Sequence, residues 1–224
     1  MFQSGLASGV YRICNWIMRL AIVNLLWMGF TFLGLILFGF APATTALFAV
    51  IRKWVMGHDD VPIFKTFWSN YRSEFVRANI LGLIFLIVGY ILYVDFRFSE
   101  DFEGALQPVL LVGIMLVGIV YLLTLMYLFP VLVHFDLKSI KQYIKNALLI
   151  GISQLPSTLL MISGALLTYM IFRMVPGMLV FFCASLLALF TYWSAHRAFE
   201  NIEAKLGQAE VSYNSQSTES KHDI

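Results

Sequence analysis

The feature that most constrains this chain is a set of five long stretches without a single Asp, Glu, Lys or Arg. They cover residues 21–50 (interrupted by Pro42), 78–94, 108–135, 147–172 and 174–196. Their apolar cores are about 17–25 residues long, the length that a helix needs to cross roughly 30 Å of hydrocarbon. Because a backbone inside lipid must satisfy its own hydrogen bonds, each stretch predicts a transmembrane helix.

Composition agrees with a membrane protein. Hydrophobic residues make up 60% of the chain and charged residues 12%, whereas a soluble domain has about 25% charged residues. A net charge of +2 without a clustered basic face argues against a nucleic-acid partner. The sequence therefore predicts one all-α, polytopic membrane helix bundle over 1–206 and a disordered polar tail over 207–224. The predicted spans are about 20–40, 78–94, 108–130, 147–171 and 175–193.

One segment between the first two spans has a strong helical pattern of aromatic residues. They fall at i, i+3, i+4, i+7 and i+11, and they are Phe64, Phe67, Trp68, Tyr71 and Phe75. Basic and polar residues occupy the remaining positions. This pattern predicts an amphipathic helix at about 62–77, in the first cytoplasmic loop, that lies in the membrane interface. The alternative is that the aromatic face packs on the protein's own helices.

The orientation depends on segment 43–56. Its apolar part of about 11 residues is too short to cross, so it is expected to re-enter the membrane or to lie on its surface. The basic loops then place the N-terminus outside and the C-terminus in the cytoplasm, by the positive-inside rule. Arg12 and Arg19 do not suit this orientation, because they face outward. If 43–56 crosses instead, the N-terminus moves inside.

Polar residues within the apolar stretches are uncharged amides and hydroxyls. No carboxylate or basic side chain lies within the spans, which argues against ion-coupled pumping. One hypothesis gathers Asn24, Thr44, Gln154 and Thr158 around a polar cavity for an uncharged solute. The favoured alternative is that these groups hydrogen-bond between helices, at about 1 kcal/mol each.

Motifs for catalysis or metal binding do not occur. There is no HExxH, GxSxG or GxxxxGK[ST] pattern, so we expect neither an enzyme nor a cofactor. His58, Asp59 and Asp60 are adjacent and cannot easily converge on one metal ion. For His134, near Asp136, we also expect a structural role.

Two short internal matches leave a repeat open. Residues 71–83 resemble residues 140–151, and Pro42-Ala43-Thr44 resembles Pro156-Ser157-Thr158. Proline-interrupted segments in corresponding halves of a membrane protein are a pointer to a transporter's binding site. The simpler interpretation is that any membrane protein repeats a basic lead-in followed by a span.

Several strings together resemble one family. They are YRICNWIMRLAIVNLLW (11–27), PATTALFAVIRKW (42–54), FKTFWSNYRSEFVRAN (64–79), YLFP (127–130) and KNALL (145–149). In this order and spacing the chain, over about residues 10–205, resembles the YesL-like family of bacterial membrane proteins, which has no assigned function. The resemblance implies a small multi-span protein of the bacterial cytoplasmic membrane. It also implies an association with sugar uptake, because the genes of such proteins often neighbour those for sugar-uptake systems.

Two functions follow as hypotheses. The first is an accessory or interaction component associated with carbohydrate uptake, whose partners are membrane lipid and a sugar-uptake permease. The second is a channel or carrier for a neutral solute such as a sugar. The sequence leaves the substrate and the oligomeric state open, including a homo-oligomer.

Overall fold

The protein is an all-helical bundle in a computed structural model that describes residues 2–101, 106–137 and 139–222. Within these ranges there are eight α-helices and no strand. They are α1 (Phe2–Leu33), α2 (Leu37–Val55), α3 (Ile63–Ser73), α4 (Phe75–Ser99), α5 (Leu106–His134), α6 (Ile140–Ser153), α7 (Leu155–Met174) and α8 (Met178–His222). Five segments are long and apolar enough to cross a membrane: Gly9–Leu33, Phe75–Ser99, Leu106–His134, Leu155–Met174 and Met178–Lys205. The predicted membrane bundle of about five spanning helices is confirmed.

A tight turn joins α1 to α2, so the first span ends well before residue 40, where the sequence placed its end. The φ angles of Leu35 and Ile36 are 54° and 63°. Positive φ is unfavourable for a β-branched residue such as isoleucine. The two helices also approach closely here, since a Cβ on Gly34 would clash with the backbone of Gly39. The turn therefore combines close backbone contact with local strain.

Helix α2 is enclosed by five other helices: α1, α3, α4, α5 and α8. Pro42, which interrupts the first charge-free stretch, lies inside α2 and is buried. The helix presents small and aliphatic side chains that are at most 1% exposed, namely Ala43, Ala46, Leu47, Val50 and Ile51. Segment 43–56 therefore belongs largely to a helix that other helices of the bundle enclose.

Two of the predicted helices are interrupted at a single residue. Glu74 (φ −96°, ψ 4°) separates α3 from α4, so the amphipathic helix predicted at 62–77 ends at Ser73. Gln154 (φ −117°, ψ 54°) separates α6 from α7 within the span predicted at 147–171. Pro156 in the first turn of α7 explains the second break, because it has no N–H to donate to a continuous helix.

The last helix extends beyond the predicted end of the folded domain. Helix α8 continues to His222 and includes most of the 207–224 tail for which the sequence predicted disorder. Gly207 lies within it, and no proline follows to interrupt the backbone hydrogen bonds. Residues 223–224 of the tail lie outside the described residues.

The buried side chains form two clusters that hold the bundle together. One joins α2, α4, α5, α6, α7 and α8 around Leu81, Tyr127, Leu128, Tyr143 and Met161. The other joins α1, α2, α3 and α8 around Val23, Val50, Phe67 and Tyr192. By contrast, little of the apolar stretch of α4 or of α5 is buried within the bundle. These apolar surfaces suit contact with lipid or with another membrane protein.

Candidate functional site

Asn24 joins α1 to the beginning of α8 through a fully buried amide. Its Nδ2 donates to the Val180 carbonyl at 2.8 Å. Its Oδ1 accepts from the backbone N–H groups of Ala184 at 2.9 Å and Ser185 at 3.1 Å. Val180 and Ala184 are four residues apart, so the amide takes the place of a helical hydrogen bond within α8. Such an insertion bends a helix and links it firmly to its neighbour.

Thr44 lies on α2 beside the same part of α8. Its hydroxyl donates to the Phe40 carbonyl at 2.7 Å and accepts from Trp27 Nε1 at 3.0 Å. The side chain borders a cavity of about 300 Å³ between α1, α2 and α8. The lining is largely apolar and consists of Trp27, Phe40, Thr44, Leu47, Phe48, Cys183, Ala184, Leu187, Ala188 and Thr191. Ala184 both lines this cavity and bonds to Asn24, so two of the four predicted polar residues lie close together.

Gln154 and Thr158 form a second polar group at the corner between α6 and α7. The Thr158 hydroxyl lies 3.1 Å from the Tyr127 hydroxyl on α5. It also lies 3.3 Å from the Gly151 carbonyl and 3.2 Å from the Gln154 carbonyl. The backbone N–H of Thr158 donates to the same Gln154 carbonyl at 3.0 Å. The cluster therefore ties α5 to the α6–α7 corner.

The four polar residues thus lie in two pairs instead of around one cavity. Asn24 and Thr44 bond to α8, α1 and α2, whereas Gln154 and Thr158 belong to the α5–α6–α7 contact. Among the described residues no hydrogen bond joins the two pairs. The side chains of Asn24, Thr44 and Thr158 form hydrogen bonds between helices, whereas Gln154 contributes its backbone carbonyl. Sequence reasoning had no information on which helices are neighbours.

The aromatic face of α3 is divided between the core and the surface. Phe67 and Tyr71 are buried, whereas Phe64 and Trp68 are exposed; Phe75, which begins α4, is partly buried. Four of the five rings surround Phe30 of α1, at centroid distances of 5.0–6.4 Å. The Tyr71 hydroxyl donates to the Phe30 carbonyl at 3.3 Å, and burial raises the pKa of Tyr71. The face therefore packs on the protein and also presents two rings outward.

A histidine cluster where the end of α5 meets the middle of α8 was missed by sequence reasoning. His134 Nδ1 lies 3.1 Å from the Tyr192 hydroxyl, and its Nε2 lies 3.6 Å from the Glu203 carboxylate. The rings of His134 and His196 are 6.1 Å apart. These partners are distant in sequence, and the sequence instead suggested Asp136 beside His134. Among the described residues no group of three or more His, Cys, Asp or Glu can hold a metal ion.

Tyr143 organises the same end of the bundle and was also missed. Its buried hydroxyl accepts from the backbone N–H of Leu137 at 2.9 Å and donates to the Phe135 carbonyl at 3.3 Å. Arg77 Nη1 at the start of α4 donates to the same hydroxyl at 3.3 Å. Tyr143 thereby joins α6, the end of α5 and α4, which indicates a structural role.

Comparisons place the chain among proteins without an assigned function. The family described as "Protein of unknown function, DUF624" matches residues 20–96. Three similar proteins come from Bacillus subtilis (strain 168). "Uncharacterized protein YteU" is 42% identical over 188 residues, covering 84% of each chain. "Uncharacterized protein YesV" is 36% identical over 92% of this chain and 99% of its own. "Uncharacterized protein YesL" is 35% identical over 89% and 93%. No solved structure matches.

Proposed function

The chain belongs to the DUF624 family, and from this premise we propose that it is an accessory or interaction component of a carbohydrate-uptake system in the bacterial cell membrane. The association with carbohydrate uptake is what the resemblance to the YesL-like family implies. The proposed partners are membrane lipid and a sugar-uptake permease, and we propose no catalytic role. The five apolar helices suit a multi-pass membrane protein that binds such a permease within the bilayer.

The observation that carries this proposal is the bonding of Asn24. Its amide makes three hydrogen bonds to the backbone of α8, at 2.8, 2.9 and 3.1 Å. A carrier for a polar solute needs polar groups that exchange their partners for the solute. If Asn24 released these bonds, backbone groups of α8 would be left without partners in an apolar environment. This is costly unless those groups form hydrogen bonds within α8 instead. The amide is therefore better suited to holding helices together than to binding a solute.

The exposed surface of α4 and α5 supports an interaction role. Only 6% of the apolar stretch of α5 and 17% of the apolar stretch of α4 is buried within the bundle. Exposed side chains on α5 include Val109, Val112, Leu116 and Ile119. In a membrane, contacts between helices depend on close van der Waals packing, and glycines favour them. Gly113 and Gly118 on α5 have open space beside them, so this helix can accept a closely packed partner helix.

The experiment for this proposal has two parts. The tagged chain is purified in mild detergent from the bacterium that carries it, and co-purifying permeases are identified by mass spectrometry. Uptake of labelled sugars is then measured after deletion of the gene. We expect a sugar permease to co-purify and its uptake activity to fall several-fold in the deletion strain. Unchanged uptake of every sugar tested would contradict the accessory role.

A carrier for a neutral solute is the second candidate, and the cavity beside Thr44 is the observation in its favour. The cavity, about 300 Å³, combines the indole of Trp27 with the hydroxyls of Thr44 and Thr191. Purified protein in liposomes tests this function directly with labelled sugars. Thr44→Val is the informative variant. Thr168→Val is its matched control, because Thr168 also donates to the carbonyl four residues earlier but does not line the cavity.

The liposome experiment separates the two functions. Transport that Thr44→Val impairs and Thr168→Val preserves would support the carrier and contradict the accessory proposal. If the protein alone moves no sugar faster than protein-free liposomes do, the carrier candidate is excluded for the sugars tested.

A further inference from the structure

Helix α2 runs back along α1 for nearly its whole length. Near the turn, Trp27 of α1 bonds to Thr44 of α2 at 3.0 Å. At the far end, the rings of Trp16 and Trp54 are 5.7 Å apart. A helix of 19 residues is about 28 Å long, close to the roughly 30 Å hydrocarbon thickness. Since α1 spans the membrane, α2 has the length and direction to cross it in return.

This antiparallel hairpin occurs three times along the chain. Helices α1 and α2, α4 and α5, and α7 and α8 each form a contacting pair, and the amphipathic helices α3 and α6 connect one pair to the next. The second helices α2, α5 and α8 also pack against one another. They meet at the centre of the bundle, α5 through its C-terminal part between Thr124 and Leu132, where its buried residues lie. We call these three the inner helices; α1, α4 and α7 are the outer helices.

Each outer helix reaches two of the inner helices. It packs on the inner helix of its own hairpin and on the inner helix of another. Helix α4 contacts α5 and α2, and α1 contacts α2 and α8. Helix α7 contacts α8 and reaches α5 through the Thr158–Tyr127 pair. These contacts form a closed ring, which is the pattern of pseudo-three-fold symmetry.

Sequence and burial agree with this three-fold register. The inner helices carry Ala46-Leu47-Phe48, Tyr127-Leu128-Phe129 and Ala188-Leu189-Phe190, and the first residue of each triplet is at most 3% exposed. Across the inner helices, Phe48 stacks on Phe129 at 5.9 Å. The outer helices bury equivalent pairs three residues apart, namely Leu20 and Val23, Ala78 and Leu81, and Thr158 and Met161. The first residue of each triplet and both residues of each outer pair are therefore buried in all three hairpins.

The same register aligns interruptions of two inner helices. Pro42 lies four residues before Ala46, and Ala184 lies four residues before Ala188. Pro42 has no N–H to donate to the preceding turn, and the N–H of Ala184 goes to Asn24. The two sequence matches noted at the outset do not follow this register. Residues 71–83 extend across the α3–α4 break, whereas 140–151 lie within α6.

We infer that α1, α2, α4, α5, α7 and α8 cross the membrane as three hairpins and that both termini lie in the cytoplasm. This orientation moves the N-terminus inside and the turn between α1 and α2 outside, and it leaves all later loops on the sides that the sequence predicts. It moves Arg12 and Arg19 to the inner side, where Arg19 lies 3.8 Å from Asp59 in the loop after α2. Of the chain's 15 lysines and arginines, Arg97 and Arg173 then face outside. This distribution satisfies the positive-inside rule better than the alternative does.

Cysteine labelling of the full-length protein in intact cells tests this topology. The background carries Cys14→Ser and Cys183→Ser, and single cysteines are introduced as Gly9→Cys, His58→Cys or Asp101→Cys. Gly9 has open space beside it, and His58 and Asp101 are exposed loop residues. Both topologies place residue 58 inside and residue 101 outside, so these two variants are the controls. Of the three labelled positions, residue 9 is the one that distinguishes the topologies.

We expect a membrane-impermeant maleimide to label Asp101→Cys in intact cells and to label Gly9→Cys and His58→Cys only after lysis. Labelling of Gly9→Cys at the rate of Asp101→Cys in intact cells would overturn the inference. Fusions at the N-terminus provide a second readout that does not depend on cysteine reactivity. A fluorescent protein that matures only in the cytoplasm should fluoresce there. An active N-terminal alkaline phosphatase would overturn the inference.

Discussion

Replacing Asn24 with alanine tests the idea that this amide is the main polar link between α1 and α8. The substitution removes three hydrogen bonds to Val180, Ala184 and Ser185. Side-chain hydrogen bonds between membrane helices average about 0.6 kcal/mol and reach about 1.7 kcal/mol. Three of them are therefore worth about 2 kcal/mol. We expect Asn24→Ala to lower the free energy of unfolding by about this amount.

Two structural effects modify this value in opposite directions. Without the amide, the N–H of Ala184 can return to the Val180 carbonyl, and α8 regains part of the loss. The side chain is fully buried, so its removal also leaves a void that costs free energy. Because these effects oppose each other, about 2 kcal/mol remains the expected net loss.

The assay is unfolding of the purified protein by SDS in mixed detergent micelles, followed by far-UV circular dichroism. Thr168→Val is a matched control, because Thr168 is buried and its hydroxyl donates within its own helix, to the Gly164 carbonyl at 2.8 Å. We expect the control to lose less than about 1 kcal/mol. Equal unfolding free energies for Asn24→Ala and Thr168→Val would refute the reasoning, because the interhelical bonds would then contribute nothing measurable.

Three further predictions use the same unfolding measurement. Gly164→Ala should destabilise the protein because the new Cβ would lie 2.9 Å from the Cβ of Phe190, whereas Gly113→Ala, with nothing within 4 Å, should be neutral or stabilising. Ile36→Gly should raise the unfolding free energy by about 1 kcal/mol, because the φ of 63° is strained for isoleucine; a loss of stability would contradict this. Burial raises the pKa of Tyr71, so the unfolded state ionises first as the pH rises through about 10. Wild type should therefore lose more stability than Tyr71→Phe between about pH 8 and about pH 11, and equal losses would exclude a contribution from this residue.

The spanning helices were largely predictable because lipid imposes a simple rule on sequence. A charge-free stretch of sufficient length predicts a helix wherever the side chains face hydrocarbon, as in α4 and α5. The aromatic periodicity of α3 was equally clear, because a helix with one apolar face has a local sequence pattern. Breaks such as Gln154 were harder to place. The proline that causes this one, Pro156, lies inside an otherwise continuous apolar run, and hydropathy does not register the lost hydrogen bond.

The candidate site was predictable in residue type but not in arrangement. Asn24 and Thr158, singled out as polar residues in apolar helices, form hydrogen bonds between helices. Their partners are backbone groups of α8 and the hydroxyl of Tyr127, which are distant in sequence. Neighbouring helices are chosen by packing between distant segments, and one sequence carries no direct record of that choice. The same limit explains why His134 was considered beside Asp136 and not beside Tyr192.

The relation between hydropathy and burial explains why the most enclosed helix was the hardest to recognise. Helix α5 is the most apolar of the five spanning helices, and the smallest share of its apolar stretch is buried within the bundle. Helix α2 contains Pro42, Thr45 and Arg52, yet it packs against five other helices. A helix shielded by protein can carry proline and hydroxyls, because neighbouring helices rather than lipid surround its backbone. Hydropathy therefore detects the helices that lipid surrounds. If labelling places residue 9 in the cytoplasm, α2 crosses the membrane. Hydropathy does not detect it because neighbouring helices enclose it, and its polar residues are then a sign of its central position.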